Sequence, residues 1–294
     1  MNAAQFVELG IGGLAIGCIY SLIALGTTMI VRATGIVHFA QGEVVMIGAV
    51  ASLAALLARQ MPFLAVLAVA MVAAAAASLA AEVLIYRRLR RRGATLSNVI
   101  IATIGVSILL QNLVQVLWSS EPRSFPRLFQ VEHYRIGPAS VSPQLVWIVA
   151  LGLTVMVALQ GFLRFTRTGI AMQAAVQDPE AARLMGIDLE RCTAQTFLIG
   201  GLLAGAAGVL LGSVYFASFN MGFLPGLKAF VAATIGGLGS VGGAMAGGIL
   251  FGLLETFAAV WVSTAYKDAI GMALLIVILL ALPSGLAGVF RRGR

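Results

Sequence analysis

Apolar runs of about 20 residues recur from one end of this sequence to the other, each long enough to cross a hydrocarbon core about 30 Å thick. That repetition constrains the fold more than any single motif does. Composition agrees: 60% of residues are hydrophobic and only 10% charged, where soluble domains are usually about 25% charged. The expectation is an all-α polytopic membrane protein. Expected spans are 9–31, 43–60, 62–86, 95–117, 144–163, 196–218, 243–262 and 268–289. The segment 227–240 is apolar but short for a full crossing. It reads as a further, broken helix surrounded by protein instead of lipid. The total is therefore eight to nine transmembrane segments, some short or broken.

Arginine placement orients the bundle. Five arginines crowd RRLRRR at 87–92, the C-terminus reads RRGR, and the loop 164–195 adds Arg164, Arg167, Arg183 and Arg191. Short basic loops stay cytoplasmic, so all three are expected inside. Parity then requires 227–240 to traverse the membrane and puts the N-terminus outside. The loop 118–143 also lies outside, with room for a lid or amphipathic segment. The first ten residues contain Glu8 and no basic residue, unlike a signal peptide, so the first span is expected to be retained.

The formal charge of +8 punctuates apolar spans, which makes phospholipid headgroups the better counter-charge and nucleic acid the poorer one. Cys18 and Cys192 form no CxxC pair and imply no disulfide framework. The histidines, His38 and the external His133, make no convincing metal set.

Glycines stand four apart inside the spans: Gly13 with Gly17, Gly201 with Gly205, Gly208 with Gly212, then Gly239, Gly243 and Gly247, and Gly248 with Gly252. Four residues return to one helix face, so such ladders offer flat patches for close helix packing. The stretch RATGIVHFAQGE, Arg32 to Glu43, breaks the oiliness after the first span. Gly35 and Gly42 bracket a segment that can leave helical form. His38, Gln41 and Glu43 then either join a loop network or line a transport path. In span 95–117, Thr103, Ser107, Gln111 and Gln115 recur every fourth residue. That stripe should turn inward, for substrate passage or for polar packing. Glu255 sits within an apolar span with no obvious cation in it. Its neutral form, an interhelical hydrogen bond and a water path all remain open.

The loop TRTGIAMQAAVQDPEAARLMGIDLERC carries its own helix signals. Asp178 can cap, Pro179 suits the first position and Glu180 favours the positive end of the dipole. Arg183, Leu184 and Met185 continue it, and Gly186 is a plausible stop. The result is a helix of about two turns, placed where a cytoplasmic motor subunit could push on the membrane helices.

Three strings carry a closer likeness: SLIALGTTMIVRATGIVHFAQGEVVMIGA, AVQDPEAARLMGIDLERCTAQTFLIGGLLAGAAGVLLG and FVAATIGGLGSVGGAMAGGILFGLLE. With them the chain resembles, over almost its full length, the LivH-type permease subunits of high-affinity branched-chain amino acid ABC transporters. Urea and short-chain amide permeases share much of the pattern. The resemblance implies a single transmembrane permease domain, 1–294, with Ala175 to Gly186 as the segment that couples to an ATPase. It implies a LivM-like second permease, two cytoplasmic ATPase subunits that bind ATP and Mg, and a periplasmic substrate-binding protein in a bacterial inner membrane. Many relatives read asparagine where this chain has His38. No G-x-x-x-x-G-K-[ST], H-E-x-x-H or G-x-S-x-G occurs, so no ATPase, metalloprotease or hydrolase site is expected in this chain, nor a cofactor. From the residues alone, an ABC permease, a secondary transporter and a channel all fit.

Overall fold

The computed structural model describes residues 3–59, 61–118, 121–126, 134–136, 139–261 and 266–281. His133, the C-terminal part of span 268–289 and the RRGR terminus lie outside the described residues. Seven described helices are long and apolar enough to cross a membrane. The first are α1 (Ala3–Thr34), α2 (Gln41–Arg59) and α3 (Phe63–Ala81). A π-helical turn, Glu82–Tyr86, joins α3 without a break to α4 (Arg87–Arg91). There follow α5 (Leu96–Leu117), α6 (Pro143–Phe165), α9 (Leu189–Val214) and α11 (Val241–Trp261). Between α6 and α9 lie α7 (Arg167–Gln177) and α8 (Pro179–Leu184). Two shorter apolar helices, α10 (Phe223–Gly236) and α12 (Lys267–Ala281), complete the nine expected segments. Every expected span thus has its helix, although α10 begins and ends four residues earlier than expected.

Helix ends follow local chemistry. Gly35, at φ +72°, closes α1 by donating its N–H to the Val31 carbonyl at 2.8 Å. Thr95 caps α5, Pro143 opens α6 at its first position, and Asp188 caps α9 through the N–H groups of Glu190 and Arg191.

The centre of the bundle is α1. Its most apolar window is 83% buried and that of α9 is 72% buried, against 17% for α5 and 22% for α6. The outer pair shows Ile101, Ile108, Val116 and Val157 on its exterior, the surface hydrocarbon tails require. Small residues let the inner helices approach. A methyl added at Gly201 would sit 2.6 Å from Cα of Ala75, and one at Gly205 would sit 2.6 Å from Cα of Met71, both on α3. On its other side α9 meets α2, where a methyl at Gly48 would lie 2.7 Å from Cα of Gly205. Gly17 abuts the Ile249 backbone of α11, and Gly243 and Gly247 press on the backbone of α10 at Gly236 and Ala232. Backbone contact of this kind, not apolar burial, drives association between helices in lipid. Ser21 adds a hydrogen bond from α1 to the Met245 carbonyl of α11 at 2.7 Å.

One expectation changes. Gly239, placed in the packing ladder by its spacing, lies in the turn between α10 and α11 at φ +97°. It supplies a left-handed backbone conformation and not a helix face. The loop 118–143 includes, among its described residues, a short antiparallel hairpin, β1 (Tyr134–Ile136) with β2 (Ala139–Val141). Glu8 of α1 ties it down, its carboxylate accepting from the Ser140 N–H at 2.7 Å.

Candidate translocation and coupling sites

Between α1 and α2 the chain leaves helical form over 35–40 and buries polar groups there. His38 is held between the rings of Tyr86 and Phe197, at centroid distances of 5.4 and 5.3 Å. Neither of its ring nitrogens has a hydrogen-bond partner. Gln41, at the start of α2, donates from Nε2 to the Gly200 carbonyl of α9 at 3.0 Å, while its own Oε1 is buried without a partner. Glu43 accepts a long 3.4 Å bond from Ser107 of α5 through Oε1, and its Oε2 has no partner. Thr103 accepts from the Phe39 N–H at 3.4 Å and donates to the Ile100 carbonyl at 2.8 Å. The break and the α5 stripe therefore meet. His38, Gln41, Glu43, Thr103 and Ser107 form one polar seam among α1, α2, α5 and α9. Gln111 lies one turn further along the same half-buried face of α5.

A buried polar atom left without a partner costs about 1–3 kcal/mol, so four such atoms on His38, Gln41 and Glu43 are a stored demand for hydrogen bonds. A small cavity touches this demand, lined by Thr27, His38, Gln41, Gly42, Phe223 and Phe230. Gly42 at its edge abuts Gly222, the residue before α10.

Glu255 belongs to a different cluster. Its Oε1 receives Lys228 Nζ of α10 at 2.5 Å, and the same ammonium reaches Oδ1 of Asp268 on α12 at 2.6 Å. The Tyr20 hydroxyl of α1 also hydrogen-bonds Glu255. Of the possibilities left open, the structure favours interhelical bonding. In the sequence Lys228 is the second residue of the apolar segment expected at 227–240. Because α10 starts at Phe223, Lys228 lies well inside a helix, 6% exposed. The available signal was reciprocal: a lone lysine in one apolar helix and a lone glutamate in the next each need a counter-charge.

The segment expected to face the cytoplasm is built as its residues require. Asp178 Oδ1 accepts from the N–H groups of Glu180 at 3.1 Å and Ala181 at 2.9 Å. Pro179 occupies the first turn, where its missing donor costs nothing. At the far end the Ile187 N–H reaches the Ala182 carbonyl at 3.0 Å and the Gly186 N–H reaches that of Arg183 at 3.0 Å. With Gly186 at φ +83°, this is a Schellman closure. α8 has six residues, in keeping with the helix of about two turns expected. It buries Ala182 and leaves Leu184 90% and Met185 82% exposed. Beside it Arg91 forks onto Glu190 at 2.8 and 2.5 Å, and Arg90 forks onto the fully buried Glu82. Among the described residues no group of His, Cys, Asp and Glu converges as a metal site would require.

A helical bundle with a polar seam at a broken helix and a capped knob between two spans defines a multi-pass membrane transport subunit. The chain belongs to the family described as the permease component of branched-chain amino acid transport systems, whose pattern matches residues 10–279. It is 38% identical over 298 residues to the high-affinity branched-chain amino acid permease protein LivH of Escherichia coli K12, covering 96% of each chain. To the permease protein BraD of Pseudomonas aeruginosa it is 37% identical over 298 residues, covering 97% of this chain and 96% of that one. A xylose/arabinose import permease of Sulfolobus acidocaldarius is 28% identical over 196 residues, 63% of this chain and 52% of the relative. No solved structure matches the chain significantly.

Proposed function

We propose that this chain is one of the two permease subunits of an ATP-driven importer for leucine, isoleucine and valine in a bacterial inner membrane. The observation that carries the reading is the likeness to LivH along 96% of both chains. It extends through the α7–α8 knob as well as the spans. In this reading a LivM-like chain completes the pore and a periplasmic binding protein delivers the substrate. Two cytoplasmic ATPase subunits bind ATP and Mg, so this chain holds no cofactor and catalyses no reaction. The N-terminus is periplasmic, and the C-terminus lies with the Arg87–Arg92 turn on the cytoplasmic side.

The roles divide along the geometry. Asp178, Pro179, Glu180 and Gly186 hold the shape of α8, and Leu184 and Met185 fill a groove on the ATPase, with Arg183 against an acidic edge. His38, Gln41, Glu43, Thr103, Ser107 and Gln111 line the path or its gate, where unpartnered atoms take up hydrogen bonds as helices move. Glu255 acts one step back from the path, holding α10 and α12 in place through Lys228.

Uptake by the full complex reconstituted in proteoliposomes with its own binding protein tests the assignment. Labelled leucine, isoleucine and valine should enter in an ATP-dependent way and compete with one another. Accumulation of urea or a short-chain amide instead would reassign the substrate. Uptake driven by an ion gradient without ATP would overturn the importer reading altogether.

A further inference from the structure

Where α4 meets the first turn of α9, a hollow of about 320 Å³ opens between the membrane helices and α8. That volume is at the lower end of the range for small-ligand pockets, about 300–1,000 Å³. Arg87, Arg90 and Arg91 line it from α4, Arg183 from α8, and Glu190 and Thr193 from α9. Four guanidinium groups thus face one carboxylate on the wall, with a second, Glu82, buried beneath Arg90. The sum leaves two positive charges uncompensated.

Three of the four guanidinium groups are held in place. Arg90 is anchored on Glu82, Arg91 on Glu190, and Arg87 donates from Nη2 to the Glu190 carbonyl at 3.3 Å. Arg183 remains available, making no ion pair among the described residues, whereas Arg87 Nε is buried 3.9 Å from carboxylate oxygens of both Glu82 and Glu190. A preorganised fork of this kind suits a phosphate oxyanion, which accepts several N–H bonds at once.

Depth identifies the source of that phosphate. Val83 and Leu84 are exposed apolar residues one turn before Arg87, and Leu198 is an exposed apolar residue about two turns beyond Glu190. On both helices lipid-facing surface gives way to charge at this level, which is where headgroups lie. We propose that the hollow binds the phosphate of an anionic phospholipid from the inner leaflet. The bound headgroup bridges α4, α9 and α8, so it fixes the knob against the bundle. Basic pockets at the cytoplasmic ends of membrane helices are suited to such headgroups.

The test uses the purified full-length permease, delipidated and then exchanged into nanodiscs containing phosphatidylcholine with traces of phosphatidylglycerol or cardiolipin. Retained lipid is counted by native mass spectrometry. Wild type should retain the anionic lipids in preference to phosphatidylcholine. Arg91→Gln combined with Arg183→Gln should lower that retention roughly tenfold or more, while Arg88→Gln, an exposed arginine outside the hollow, should leave it intact. Melting temperature checks that the variants are folded, and rescue by Arg91→Lys separates charge from packing. Equal retention in the double variant would overturn the proposal. Displacement by millimolar inorganic phosphate would also overturn it, because the site would then serve free anions. Unchanged lipid retention with weakened ATPase association would do the same, because the arginines would then face a protein.

Discussion

Lys228→Met removes the cation that holds two carboxylates together. Glu255 is left fully buried, with the Tyr20 hydroxyl but no opposite charge from α10. Deleting one member of a buried ion pair costs about 3–5 kcal/mol, whereas replacing both members by apolar groups is often neutral or stabilising. Asp268 differs in kind. Its side chain is 57% exposed, and water can solvate it when the lysine is gone. Asp268→Asn should therefore cost no more than about 1 kcal/mol. Lys228→Met should cost about 3–5 kcal/mol, and Lys228→Met with Glu255→Leu should recover most of that loss. The structure also supplies the probe. Cys18 and Cys192 are free thiols buried in the bundle, so a thiol-reactive fluorophore reports thermal opening in detergent. The order of melting should be wild type, Asp268→Asn and the double variant close together, with Lys228→Met well below them. The double-mutant cycle isolates the coupling between the pair. If Lys228→Met melts with Asp268→Asn, or if the two losses simply add in the double variant, the buried pair is not what holds these helices.

The remaining predictions concern packing, coupling and orientation. Gly243→Leu should abolish assembly, and Gly243→Ala should impair it, because even a methyl meets the Gly236 carbonyl. Gly242→Ala, with nothing within 4 Å, should purify normally as a monodisperse protein. Leu184→Asp should leave the permease at normal abundance but lose ATPase crosslinking and substrate-stimulated hydrolysis, since docking would have to bury a charge. In a cysteine-free background, Arg88→Cys should label only from the cytoplasmic side and Ser124→Cys only from outside; the reverse pattern would invert the topology.

Much of this architecture is written locally and so could be read from the sequence. Span lengths answer to the bilayer, and each apolar run became a helix. The Asp178–Pro179 start and Gly186 stop of α8 depend on neighbours two to five residues away, and they formed as written. The fourfold spacing of Thr103 and Ser107 placed both on the inner face of α5. Hydropathy misled where backbone conformation decides. The run through Gly237 and Gly239 counts as apolar, yet both residues take positive φ and end α10. What stayed hidden is contact between distant segments. The need of Lys228 and Glu255 for counter-charges could be read, but no local pattern joins two residues 27 apart, and the aromatic cage around His38 draws its rings from two other elements.

The π-helical turn at Glu82–Tyr86 works as a phase adjustment between two surfaces. At about 100° per residue, Glu82 and Arg90 on a regular helix would be about 80° out of line. One residue absorbed in the wider turn makes them read as seven apart, within about 20° of a common face. The face that α3 turns to α9 and the direction in which α4 aims its arginines are therefore keyed separately, although one continuous rod carries both. Deleting a single residue there would give a more regular helix. It would leave the arginine turn facing as it does now, whereas straightening the turn with every residue kept would rotate the arginines by about 100° away from Glu190. The rod's irregularity is thus its index mark: the wide turn sets where the arginines point, and the count of residues can change only together with it.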